Sequence, residues 1–256
     1  MSLVLGLEIL AALFGMGVVL GFVGAGGAGL VIAVLTLGFG IPIHLALGTS
    51  LAAMTFTTIS GAVSHFREGN VNVRMGLCLG VFGMIGAFLG TKIAVLIPGS
   101  KLHYLTGFML ILSAVIIAYR VYCPNSPLWK KARKQKLTGL AFWGKCLIFG
   151  LFVGLLSGTF GIGSTPFIQV VLLIAFGLPL YIAVGTTMLV IFPIAIAGGV
   201  GYFIEGALQF WLLAEVVVGL VVGAYIGAKF TRRAPQNILK FIMVVTPAIG
   251  GVLLFI

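Results

Sequence analysis

Two apolar passages of this chain, 21–50 and 158–187, repeat one another at a fixed offset of 137 residues, and glycines interrupt both where a membrane helix would run on. The offset is read from Pro42 and Pro179 (179 − 42 = 137) and holds without a gap from Gly21/Gly158 to Pro98/Pro235. Gly24/Gly161, Phe39/Phe176, Gly48/Gly185, Glu68/Glu205, Gly90/Gly227 and Lys92/Lys229 are among the coincident pairs. Self-similarity over that length is an internal duplication. The chain must therefore fold as two related halves.

Composition identifies the solvent in which they fold. Hydrophobic residues make up 61% of the chain, charged residues 7%, and the mean hydropathy is +1.28. Soluble domains hold about 45–50% apolar and about 25% charged residues. At about 20 residues per span, 256 residues give eight to ten membrane segments and leave no room for a soluble catalytic domain. Apolar segments fall at 3–23, 28–40, 43–64, 74–97 and 103–122, and again at 138–158, 165–176, 180–204, 209–230 and 237–256. The prediction is an all-α polytopic membrane protein. An N-terminal transmembrane repeat (1–122) and a C-terminal one (138–256), each of about five helical segments, flank a basic linker at 123–137.

The formal charge of +11 belongs to short loops rather than to a nucleic-acid surface. Lys130, Lys131, Arg133, Lys134 and Lys136 crowd into the linker, which makes it cytoplasmic by the positive-inside rule. The partner implied is the lipid bilayer. Five crossings per half then put Arg67, Arg74, Arg232 and Arg233 inside and make the halves inverted repeats. If the short segments at 28–40 and 165–176 dip in and return, each half crosses four times, the halves are parallel, and Arg232 and Arg233 fall outside. The charge bias favours inversion. The N-terminal apolar stretch has no basic n-region and reads as a retained first helix.

The short segments need their own account. About 13 residues of helix cover roughly 20 Å, against a hydrocarbon core of roughly 30 Å, so non-helical backbone is expected to supply the rest. Such backbone is tolerated at membrane depth only where protein or a cavity surrounds it. Gly26 and Gly27 in one half, and Gly163 and Ser164 in the other, stand directly before a short helix, with Ser164 or Thr165 placed to cap it and Pro166 suited to its first turn. A helix starting there turns free N–H groups and its positive dipole end towards the break, a setting for an anion. Further along each half lie Gly48-Thr49-Ser50 and Gly185-Thr186-Thr187, whose hydroxyls can donate without adding charge. Glycines that only permit close helix packing, and hydroxyls that only bond their own backbone, are the alternatives. Duplication at one offset favours a site: substrate-binding Gly26, Gly27, Thr49, Ser50, Gly163, Ser164, Thr186 and Thr187.

The four acids are Glu8, Glu68, Glu205 and Glu215. Glu68 and Glu205 stand in matching Phe-x-Glu-Gly turns. Glu215 lies within the apolar run FWLLAEVVVGL and is a candidate for proton coupling, as an intramembrane carboxylate is by default. His44 and His65 flank one segment and read as helix-end hydrogen bonders. The chain has no Asp, so no Ser-His-Asp set is possible, and its Cys, His and Glu show no metal spacing. Cys78, Cys123 and Cys146 have no Cys-x-x-Cys pattern. The reading is of a protein that is not an enzyme and uses no cofactor or metal.

The Gly21–Gly27 stretch, the paired Phe-Gly-x-Pro and Ala-x-Gly-Thr-Ser/Thr motifs (Phe39–Ser50; Phe176–Thr187) and the Gly-Ala-x-x-Gly-x-Lys motifs (Gly86–Lys92; Gly223–Lys229) resemble those of the sulfite exporter TauE/SafE family of membrane transporters. The resemblance covers nearly the whole chain. It implies a secondary transporter of a bacterial or archaeal inner membrane that exports a small sulfur-containing or organic anion, of the sulfite or sulfoacetate kind, as a monomer or homodimer. The family is generally described with seven or eight spans, fewer than five plus five. The site is expected at the interface of the halves, with rocking between them giving alternating access. An anion or small-solute channel lined by the same glycines is the alternative.

Overall fold

The computed structural model describes residues 3–23, 28–123, 139–231 and 236–255, and among these the regular structure is entirely helical. In chain order the helices are α1 (Leu3–Val23), α2 (Ala28–Ala33, continued as a π-turn over Val34–Gly38), α3 (Ile43–Arg67), α4 (Val73–Leu96) and α5 (Gly99–Tyr122). The second half gives α6 (Leu140–Phe160), α7 (Thr165–Ile174), α8 (Leu180–Ile204), α9 (Phe210–Thr231) and α10 (Gln236–Leu253). The expected all-α membrane architecture is present: five helices, Ile43–Arg67, Val73–Leu96, Gly99–Tyr122, Leu140–Phe160 and Tyr181–Ile204, are long and apolar enough to cross a membrane. The duplication is written into the boundaries. Adding 137 to the limits of α1 and α3 gives those of α6 and α8.

Local chemistry sets the ends. Gly69 and Gly206, both at φ +71, close α3 and α8, and the next N–H groups bond back five residues, Asn70 to the His65 carbonyl (2.9 Å) and Ala207 to that of Tyr202 (2.8 Å). The Phe-x-Glu-Gly turns are therefore helix C-caps of the Schellman kind, with Glu68 and Glu205 exposed on them. α5 starts at Gly99 instead of 103. Lys101 and His103 suggest a loop, but Pro98 fixes the entry, and the N–H groups of Lys101 and Leu102 both bond to its carbonyl at 3.0 Å. The linker at 124–137, Arg232 and Arg233 lie outside the described residues.

Small residues face inward and large ones outward, as lipid permits. On α4, Gly76, Gly80, Gly83, Ala87 and Gly90 are buried, while Leu77, Val81, Ile85 and Leu89 are about half exposed along one stripe. Gly76 and Gly80 face Leu189 and Pro193 of α8, and Gly86 and Gly90 lie on Leu151 and Leu155 of α6. A Cβ on Gly150 would stand 2.8 Å from the Leu79 carbonyl oxygen, and Cβ atoms on Gly154 and Gly158 would collide with the backbone of Gly83 and Ala87. Both numbers rise together, so α4 and α6 run parallel. α1 and α9 form the equivalent seam, Gly17 against Leu220 and Gly223 against Phe14 and Gly17. Each half thus lends its first helix to the fourth helix of the other.

The central pair, α3 and α8, runs antiparallel: Gly48 meets Tyr202, Leu51 meets Gly198, Ala52 meets Gly199, and Gly61 meets Met188. α5 and α10 are antiparallel too, with Tyr104 beside Phe255 and Ile111 beside Gly251.

The short helix α7 reaches its place differently from expectation. Lys145, near the start of α6, donates to the carbonyl of Ala175 at the end of α7 (3.3 Å), and Phe142 meets Phe176 edge-on at 6.0 Å. α6 and α7 are therefore the two legs of a hairpin that turns at 161–164 and comes back to its own side. α7 is short because it only has to return from the turn, and no unwound backbone completes a crossing.

Candidate functional site

The turn of this hairpin lies at the centre of the molecule. A Cβ on Gly163 would stand 2.6 Å from the Met54 sulfur and 3.9 Å from Cγ2 of Ile191. Met54 and Ile191 are repeat equivalents (191 − 54 = 137), each the twelfth of the twenty-five residues of its helix, α3 or α8. Gly163 is thus near mid-length of both helices.

The backbone there is unusual. Gly161 (φ +63), Gly163 (φ +64) and Ser164 (φ +47) all occupy left-handed space, and Ser164 is the one non-glycine residue with positive φ among the described residues. Left-handed backbone disfavours a Cβ by roughly 1–2 kcal/mol, so this serine is held against its preference. In a turn that mixes right- and left-handed residues, successive N–H groups tend to point to one side, a concavity suited to anions. Residues 156–166 are buried throughout. No Lys, Arg, His, Asp or Glu occurs between 146 and 204.

Hydroxyls at the turn have no partners. Ser157, Ser164 and Thr165 are buried, and none of their side-chain oxygens makes a hydrogen bond. Ser164 occupies the N-cap position of α7 as expected, yet its side chain does not cap. Elsewhere the hydroxyls of Thr36, Thr58, Thr91, Thr187 and Thr246 turn back to carbonyls three or four residues earlier in their own helices. Buried polar groups are almost always paired, and an unpaired one costs about 1–3 kcal/mol. Three together, beside left-handed backbone, leave donors free for a guest.

The residues expected to line the site divide into groups. Gly163 and Ser164 form the turn itself. Ser50 donates to the Ala28 carbonyl at the start of α2 (3.3 Å), and Thr187 bonds the Ala183 carbonyl within α8 (2.7 Å). Thr186 accepts from the backbone N–H of Asn72 (2.9 Å), while the Asn72 side chain caps α4. Thr49 is the repeat equivalent, next to Gly48, which meets Tyr202 and Ala207 ahead of α9; its hydroxyl is buried and unpaired. Because α3 and α8 are antiparallel, Thr186 lies level with the last turns of α3. Thr49 and Thr186 are therefore some fifteen residues apart along the helix axis, roughly 20 Å, and do not share one pocket. Gly26 and Gly27 lie outside the described residues.

Two contributors carry no motif in the sequence. Tyr202 is fully buried and donates its hydroxyl to the carbonyl of Gly158 (2.8 Å), one of the terminal carbonyls of α6 left without a helical partner. Met54 presses its thioether on Gly163. The signal for Tyr202 was its place in the repeat opposite His65, a polar side chain at the same turn. Glu215 lies apart from the turn, in the α1–α9 seam against Gly6, with Oε2 buried and unpaired.

Comparison with known proteins places the chain among membrane transporters. The chain is 52% identical over 246 residues to a probable membrane transporter protein, YdhB, of Bacillus subtilis, covering 96% of this chain and 98% of that one. It is 28% identical to the probable membrane transporter protein YjnA of the same organism (95% and 96% covered) and 27% identical to a probable membrane transporter protein of Xylella fastidiosa (85% and 82%). No solved structure matches. The profile of the sulfite exporter TauE/SafE family matches residues 9–254, nearly the whole chain. This multi-pass membrane protein is a transporter of the sulfite exporter TauE/SafE family.

Proposed function

We propose that the protein exports a small sulfur-containing or organic anion of the sulfite type across a bacterial inner membrane, as a secondary transporter working by alternating access. The observation that carries this reading is the α6–α7 turn, with its left-handed backbone and the free hydroxyls of Ser157, Ser164 and Thr165 near mid-length of α3 and α8. α7 begins there, so its first N–H groups and positive dipole end add to the donors. The stretch 146–204 has no cation, so the anion is held by neutral donors and not by an ion pair. Such a grip is weak enough to release the anion on the far side. Export needs no ATP, since one charge moving with a negative-inside potential gains about 2.3 kcal/mol per 100 mV.

The antiparallel course of α3 and α8 supports inverted repeats. Helices related by an axis along the membrane normal would run parallel. The return of α7 to the side from which α6 set out leaves the second half with an odd number of side changes, which also favours a cytoplasmic linker. The halves exchange helices, however, so one half cannot rock rigidly against the other without opening both glycine seams. In this reading the seams stay closed, and the antiparallel contacts of α3 with α8 and of α5 with α10 carry the motion. Glu215 is the residue assigned to proton coupling.

The test is sulfite binding and efflux by purified protein and proteoliposomes, with Ser164→Ala beside the wild type. Loss of roughly tenfold in affinity, at unchanged folding, is expected for a lost hydrogen bond to an anion. Wild-type affinity in Ser164→Ala removes the turn from the mechanism. Currents far above carrier rates would replace the transporter with the channel.

A further inference from the structure

Two more hydroxyls sit unpaired on an element that neither the repeated motifs nor the α6–α7 turn includes. Thr106 is 0% and Ser113 2% exposed, and neither side-chain oxygen has a hydrogen-bond partner. They are seven residues apart on α5, two turns along one face, and Leu110 lies between them on that face. Leu110 covers Gly29 in the first turn of α2: a Cβ on Gly29 would stand 2.8 Å from Leu110 Cδ1. The contact of α5 with α10 runs along a different face, through Gly107 and Ile111, about 100° further round the helix. The hydroxyls thus share the face of Leu110, which meets α2, and not the face that meets α10.

The two halves complement each other here. The second carries hydroxyls beside its short helix, Ser164 and Thr165, where the first has Gly27 and Ala28. The first carries them on its last helix, Thr106 and Ser113, where the second has Met243 and Gly250. Thr106 and Ser113 in the first half, and Ser164 and Thr165 in the second, are thus buried, unpaired hydroxyls at positions that carry none in the other half. A packing role explains neither pair, because a buried hydroxyl left unpaired destabilises a fold.

We propose that Thr106 and Ser113 form a second hydroxyl subsite for the transported anion, facing Ala28 and Gly29 across from the α6–α7 turn. The inference rests on the anion-transporter reading above. An anion released from Ser164 and Thr165 is received by α5, so that two weak sets of neutral donors share one path.

The experiment titrates sulfite into purified protein by calorimetry and records thermal unfolding of the same samples. Thr106→Val and Ser113→Ala should each weaken sulfite binding roughly tenfold, while Thr106→Ser, which keeps the hydroxyl, stays close to wild type. Unfolding of Thr106→Val without ligand should occur at equal or higher temperature, because the change removes an unpaired polar group; a structural hydroxyl would give the opposite sign. Wild-type affinity in both Thr106→Val and Ser113→Ala, with loss in Ser164→Ala, overturns the α5 subsite and leaves the turn intact. Wild-type affinity in all three overturns the anion site as a whole.

Discussion

Tyr202 of α8 donates its hydroxyl to the Gly158 carbonyl of α6 at 2.8 Å, so a residue near the end of one helix closes the open end of another. Tyr202→Phe keeps the ring but leaves that carbonyl unpaired in a buried place. A loss of about 1–3 kcal/mol is expected, seen as a lower unfolding temperature in detergent, together with reduced sulfite affinity because the turn at 161–164 is less firmly held. An unchanged unfolding temperature would show that the bond contributes nothing.

Ser164 is held at φ +47, where glycine would sit without strain. Ser164→Gly should therefore unfold at the same temperature as wild type or up to about 1 kcal/mol more stably, yet bind sulfite roughly tenfold more weakly. Stability and affinity moving in opposite directions is the mark of a residue kept for a ligand. If both fall together, Ser164 is structural.

Thr186 holds the backbone of Asn72, and through it the start of α4. Thr186→Val should cost about 0.5–1.5 kcal/mol and leave sulfite affinity per folded molecule unchanged. Calorimetry on the monodisperse fraction separates the two effects, and a large affinity loss there would return Thr186 to the site.

The α4–α6 seam offers an internal comparison. A Cβ on Gly154 would collide with the Gly83 backbone, whereas one on Gly144, in the same helix, meets nothing within 4 Å. Gly154→Ala should destabilise by about 1–3 kcal/mol, and Gly144→Ala should be neutral or stabilising by up to about 1 kcal/mol. Equal behaviour of the two variants in thermal unfolding would mean that the seam is loose.

Glu215 sits in the α1–α9 seam with one carboxylate oxygen buried and unpaired. Glu215→Gln is expected to abolish the response of sulfite flux in proteoliposomes to an imposed proton gradient while leaving equilibrium binding near wild type. A retained response assigns the coupling elsewhere.

Much of this architecture was legible in the residues. The 137-residue offset predicts helix ends to within a few residues, because the same Pro42/Pro179 and Gly69/Gly206 start and stop the same elements. The hairpin course of α6 and α7 was not legible: a break followed by ten apolar residues has the same composition whether the chain continues or returns, and only the meeting of Lys145 with Ala175 decides it. The site was half legible. Gly163 and Ser164 stand where glycine, serine and a helix start suggested. Thr49 and Thr186 share a motif with Ser50 and Thr187, but neighbours on a helix point about 100° apart, so adjacency in sequence could not tell which hydroxyl faces the turn. Tyr202, Thr106 and Ser113 belong to no duplicated motif, and only their burial and their partners, or lack of them, bring them into view.

The exchange of first helices has a consequence for how the chain is made. α1 leaves the ribosome long before α9, the helix whose glycines its own must meet, and α4 must wait for α6. Until then the small-residue faces of α1 and α4 lack the helices they pack on. A chain stopped after α5 has neither seam, so the first half is not a module that settles before the second arrives. Assembly is committed late, when α9 meets α1.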